Sequence, residues 1–111
     1  MTKRHPVMSM TDTVKIDAAI HAAIDELNLA LPADRRLDKE PATALIGEDG
    51  RLESLDLINF VVATEQQIED ALGVSVALSA LVAEGDTARF ATIGSFAEAV
   101  RSMVEEASRG V

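Results

Sequence analysis

Isoleucine returns every fourth residue at Ile16, Ile20 and Ile24, and Leu27 follows three residues later, with Ala19 and Ala23 beside them. Apolar residues at steps of three and four line one face of an α-helix, which turns once in about 3.6 residues. The pattern predicts helix one over about residues 12–30, capped by Thr11 or Asp12. Its polar side carries Lys15, Asp17, His21 and Asp25, and Pro32 stops it.

The same period returns twice. Leu57, Ile58, Val61, Val62, Ile68, Ala71 and Leu72 place helix two from Ser54 to Leu72. Asp56, Asn59, Gln66 and Asp70 form its polar ridge, and Gly73 supplies a left-handed stop. Behind a cap at Thr92, Ile93, Phe96, Ala97, Val100, Met103 and Val104 define the last helix. Between these two, Val74, Val76 and Leu78 alternate as in a strand, whereas Ala77 to Glu84 has room for two helical turns. A short third helix is expected there, followed by a loop at Glu84, Gly85 and Asp86. From Leu31 to Arg51 the period lapses, with Pro32, Pro41, Gly47 and Gly50 set around Leu37, Ala44, Leu45 and Ile46. Connections longer than about 12–15 residues are uncommon in compact domains and are often functional, and this one ends just before Ser54. The expected fold is an all-α four-helix bundle with a long loop between helices one and two and a short third helix. Residues 1–10 are expected to form a flexible tail and residues 11–107 the domain.

Composition agrees with a helical bundle. The chain is 48% hydrophobic, yet it has three Phe and neither Tyr nor Trp, so a small aliphatic core is expected. There is no cysteine, which excludes disulfides, thiolate metal sites and a cysteine nucleophile. Met1 to Met10 lacks the apolar run of a signal peptide, and no stretch approaches the roughly 18 apolar residues of a membrane span, so a cytoplasmic protein without membrane insertion is expected.

The net charge of −9 is unevenly spread. Residues 1–39 hold six acidic and six basic residues, whereas residues 40–111 hold thirteen acidic and four basic. Such a field repels nucleic-acid phosphate and speeds encounter with basic protein patches. It also serves simply as a solvated surface that keeps a protein soluble.

Catalysis by a nucleophile needs a tunable base beside it, and the two histidines are His5 in the tail and His21 on helix one. No glycine-rich phosphate loop and no calcium-loop spacing occurs. Glu48, Asp49 and Glu53 are within reach of one another for a cation, but solvated loop carboxylates are the commoner outcome. An enzyme is therefore not expected.

One segment carries more information. Gly47 to Gly73 reads GEDGRLESLDLINFVVATEQQIEDALG: glycines and acids lead into an acidic-Ser-Leu triplet at a helix start, and an apolar helix with a Glu-rich end follows. This resembles the phosphopantetheine attachment region of acyl carrier proteins, whose usual triplet is Asp-Ser-Leu. The helix order over roughly residues 11–105 and the Thr-Ile-Gly-Ser-Phe start of the last helix are also similar to that family. A hydroxyl at a helix N-terminus suits such a load, because free backbone N–H groups and the helix dipole favour an anion there. The plainer reading is that Ser54 is an N-cap, contributing about 1 kcal/mol.

The resemblance implies that Ser54 receives a 4'-phosphopantetheine arm from coenzyme A through a phosphopantetheinyl transferase. The arm then holds an acyl or aminoacyl group as a thioester. It also implies loading by a ligase, downstream acyl-transfer enzymes docking on Glu53, Leu55, Asp56, Asn59, Glu65 and Gln66, and a monomer serving lipid or secondary-metabolite biosynthesis. Leu55 is either an exposed docking anchor or packed on residues 42–46. Glu53 stands where the family usually has Asp, and Asn59 and Gln66 where fatty-acid carriers tend to have Glu. These departures, with the added length, point to a specialised carrier and not the housekeeping fatty-acid one. The alternative is a non-modified acidic helical adaptor that binds partner proteins.

Overall fold

The structure is a computed structural model that describes residues 10–46, 52–85 and 87–109; at Met10, Ser54, Ser108 and Arg109 it describes the backbone alone. Residues 1–9 of the expected tail, Glu48, Asp49 and Asp86 lie outside the described residues, whereas Met10, expected in the tail, belongs to the first helix. Among the described residues four helices follow one another: α1 (Met10–Ala30), α2 (Ser54–Leu72), α3 (Leu78–Ala83) and α4 (Ile93–Arg109). Single 3-10 turns occupy Ala33–Arg35 and Thr87–Phe90. The fold is therefore a small all-α bundle, in which α1 packs most extensively on α2, while α3 packs on α2 and α4 on α1.

Helix α1 begins at Met10, so Thr11 and Asp12 lie within its first turn and neither is the expected cap. A carboxylate in that turn still faces the positive end of the helix dipole. Pro32, which has no N–H, follows the helix end and starts the 3-10 turn, where the Arg35 N–H donates to its carbonyl at 2.9 Å. Helix α2 ends at Gly73 as expected. Its φ of 72° is left-handed, and its N–H donates to the Glu69 carbonyl at 2.9 Å. Thr92 caps α4 in a reciprocal pair: the Ser95 N–H donates to Thr92 Oγ1 at 3.1 Å, and the Thr92 N–H donates to Ser95 Oγ at 3.0 Å.

The core takes Ile16, Ile20 and Ile24 from α1, Leu78 and Leu81 from α3, and Ile93, Phe96 and Val100 from α4. It is less purely aliphatic than composition suggests, because all three phenylalanines are buried and stack at its centre. The Phe60 and Phe96 rings lie 4.9 Å apart and the Phe90 and Phe96 rings 5.7 Å, both in tilted geometry. On α2 the buried face is Leu57, Phe60, Val61, Thr64 and Ile68. Ile58 and Val62, expected on that face, are 43% and 38% exposed. The reason is the turn of 100° per residue: each lies one step past a core position, on an arc that no other helix covers. Buried Thr64 is satisfied within its own helix, its Oγ1 donating to the Phe60 carbonyl at 2.9 Å.

Residues 74–77 form no strand. The alternation at Val74, Val76 and Leu78 reflects an extended approach that turns Val76 and Leu78 into the core. Residues 31–46 of the long connection are better anchored than their lapse in period suggests. Leu37 and Leu45 are buried; Asn28 brackets Leu37, its Oδ1 accepting the Leu37 N–H at 2.8 Å and its Nδ2 donating to the Leu37 carbonyl at 3.0 Å. Further on, an isolated bridge joins Ala44 to Thr92, with the Leu45 N–H donating to the Ala91 carbonyl at 2.8 Å and the Ile93 N–H to the Thr43 carbonyl at 3.0 Å.

Candidate functional site at the start of α2

Helix α2 starts where its polar ridge meets the long connection. Glu53, with an extended backbone (φ −85°, ψ 170°), is the N-cap, so Ser54 is the first residue inside the helix and not its cap. The first intrahelical bond runs from the Leu57 N–H to the Glu53 carbonyl at 2.9 Å, which leaves the amides of Ser54 and Leu55 without an intrahelical acceptor. The Ser54 side chain lies outside the described residues. Its neighbours are defined. Asp56 Oδ2 accepts the Glu53 N–H at 3.3 Å and an Arg35 Nη2 hydrogen at 3.0 Å, while Arg35 Nη1 stands 3.9 Å from Glu53 Oε2. The guanidinium from the 3-10 turn thus bridges the acids on either side of Ser54. Glu53 is the open member of this trio, with its side chain 79% exposed against 24% for Asp56.

Leu55 is 69% exposed, so it projects outward and is not buried against residues 42–46. Steps of three and four from it reach Asn59, Val62 and Gln66, all exposed, with Ile58 alongside. Three of the six residues expected to meet partners, Leu55, Asn59 and Gln66, therefore share one outward face. The others are turned aside. Asp56 leans to Arg35, Glu53 stands at the helix edge, and Glu65 reaches across to α3, where its Oε2 accepts both the Ser79 N–H at 3.0 Å and the Ser79 hydroxyl at 3.3 Å. Ala77, which precedes α3, makes no side-chain cap, so Glu65 of α2 takes over that task. An open cleft of about 390 Å³ separates this part of α2 from the residues leading into α3, with Val62, Glu69, Val76 and Ser79 on its walls.

Sequence reasoning missed Arg35 and misplaced Ile58 and Val62. The 55, 58, 62 spacing was a readable sign of a second apolar stripe beside the core stripe; nothing near Arg35 in the chain announces its partners in α2.

His21 lines a different cavity of about 390 Å³ between α1, the connection and α4. Its walls include Asp17, bound by Arg101 Nη1 at 3.3 Å, and Lys39, whose Nζ lies 2.7 Å from Asp25 Oδ1. Among its lining residues there is no hydroxyl or thiol for His21 to activate. Among the described residues, no group of three or more His, Cys, Asp or Glu is placed to hold a metal ion, and no helix is long and apolar enough to cross a membrane.

No protein-family model matches the chain, and comparison with curated proteins and with solved structures finds no similar one.

Proposed function

We propose that the protein is an acyl carrier, modified at Ser54 by a 4'-phosphopantetheine arm taken from coenzyme A. The observation that carries this reading is the setting of the Glu53-Ser54-Leu55 triplet. It opens a long helix with the serine at the first position and with exposed Leu55 beside it, at the end of an anchored connection. The residues fit the group. An attached phosphodiester lies next to the open amides of the first turn and the positive end of the helix dipole, and the Arg35 guanidinium offsets the carboxylates of Glu53 and Asp56. When bound, the arm supplies a terminal thiol that holds an acyl or aminoacyl group as a thioester. The chain's own part is to present it. Leu55, Ile58 and Val62 offer a partner enzyme an apolar strip, flanked by Asn59 and Gln66 and by the acidic rim of Glu53, Glu69 and Asp70. A transferase, a loading ligase and the enzymes that take the acyl group on would each meet this surface.

Co-expression with a broad-specificity phosphopantetheinyl transferase tests the proposal. The intact mass is expected to rise by one phosphopantetheinyl group in the native chain and to stay unchanged in Ser54→Ala. A native chain that emerges unmodified would favour the second reading, a non-modified adaptor. The same apolar strip supports that reading, since it can bind a partner protein with no arm attached.

A further inference from the structure

Ser54, Ile58, Val62, Glu65 and Glu69 follow one another along α2 at steps of four, four, three and four residues, so the five positions share one face of the helix. The middle of that face is apolar and exposed at Ile58 and Val62, and its far end opens into the cleft between α2 and the residues leading into α3. There Glu65 and Glu69 meet the hydroxyls of Ser79 and Ser75, and none of the residues lining the cleft is basic. We infer that the cargo of the arm is a short acyl group carrying a free amine, an aminoacyl thioester, whose ammonium is held in this cleft. The inference rests on the carrier reading and adds its substrate class.

Reach selects the cleft. At about 1.5 Å of rise per residue, Glu65 and Glu69 lie about 16 Å and about 22 Å from Ser54 along α2. From the serine oxygen to its own sulfur the arm has about fourteen bonds, which in extended form span about 16 Å, as a peptide backbone of that many bonds does. A β-aminoacyl group adds about 5 Å, so its nitrogen comes level with the stretch between the two carboxylates. On the way the arm passes over Ile58 and Val62, and its methyl-bearing carbons cover part of their apolar surface.

Charge selects the cargo. Glu65 Oε2 accepts the Ser79 amide and hydroxyl, and Glu69 Oε2 accepts the Ser75 hydroxyl at 3.3 Å, which engages one oxygen of each carboxylate and leaves the other for an ammonium. The last turn of α2 holds no basic residue, so the negative end of the helix dipole beside Glu69 also favours a cation. A cargo ending in a carboxylate would instead add a like charge. A long alkyl chain would lie against polar walls, and the centre of the core is already filled by the stacked rings of Phe60, Phe90 and Phe96. A partner enzyme seated on Ile58 and Val62 displaces the arm and so brings the cargo out.

A broad-specificity transferase given β-alanyl-coenzyme A or butyryl-coenzyme A installs the arm already loaded, and the two acyl groups match in length but differ by one ammonium. In NMR spectra at neutral pH, the backbone amide signals of Ser75, Ala77 and Ser79 are expected to shift in the β-alanyl chain relative to the butyryl chain. Glu69→Gln, a change at an exposed position that keeps an acceptor for Ser75, should shrink that difference by about twofold or more. Matching spectra for the two loaded chains, or a difference indifferent to Glu69→Gln, would overturn the inference and leave the carrier reading standing. An intact mass that rises with neither donor overturns the carrier reading, and the inference with it.

Discussion

A β-carbon at position 94 would stand 3.1 Å from the Pro41 carbonyl oxygen and 3.3 Å from its Cβ, where the Gly94 N–H itself donates to that oxygen at 2.8 Å. Gly94→Ala is therefore expected to cost about 1–3 kcal/mol, read as a lower urea midpoint, because the connection must shift off α4. Gly73 is the contrasting case. Nothing lies within 4 Å of a β-carbon there, so Gly73→Ala bears only the left-handed backbone penalty of about 1–2 kcal/mol. A right-handed alternative ending of α2 would relieve it. Phe96, which meets both other rings and is fully buried, sets the upper end: Phe96→Ala should remove about 3–5 kcal/mol and bring the domain close to its unfolding threshold.

Helix α3 has six residues, too few to hold itself together, and its N-terminus is closed by Glu65 from α2. Loss of that carboxylate in Glu65→Ala should free the Ser79 amide, raising its hydrogen-exchange rate by roughly five- to tenfold while amides in α1 and α4 keep theirs. An equal rise everywhere would mean that Glu65 supports the whole fold and not α3 alone. The connection offers a parallel case in Arg35, where Arg35→Ala should lower stability by about 0.5–1 kcal/mol, less at about 1 M salt, since the ion pair with Asp56 is partly solvated. These two contacts show where reading the chain reaches its limit. The three long helices were legible because each writes its own period of 3.6 and its own stop, as at Gly73 and Pro32. The Asp56 and Glu65 contacts were not, because their partners, Arg35 and Ser79, are 21 and 14 residues away and local spacing carries no trace of them. Ile58 and Val62 failed for a related reason. Hydrophobicity marks them as core-forming, but only the packed bundle shows that α1, α3 and α4 leave that arc of α2 open. Ser54 was legible as the start of the helix, while its place inside the cap depended on the extended backbone of Glu53.

At the scale of the whole molecule the unbalanced charge acts on stability as well as on encounter. Thirteen acidic residues against four basic ones in residues 40–111 repel one another in the compact state. Moderate salt should therefore raise the melting temperature, opposite to the sign expected if ion pairs such as Arg35 with Asp56 and Arg101 with Asp17 dominated. Scans across a salt series separate the two. The fastening of residues 31–46 has a consequence for proteases. Arg35, Arg36 and Lys39 offer trypsin three sites within a segment that has no long helix to protect it. A protease needs several residues on either side of the cut to leave the surface together, and here Asn28 grips Leu37 while the strand-like contact of Ala44 with Thr92 grips the far end. Cleavage at these sites should then proceed at the pace of global unfolding, so that the segment, for all its irregular backbone, is digested no sooner than the helices it joins.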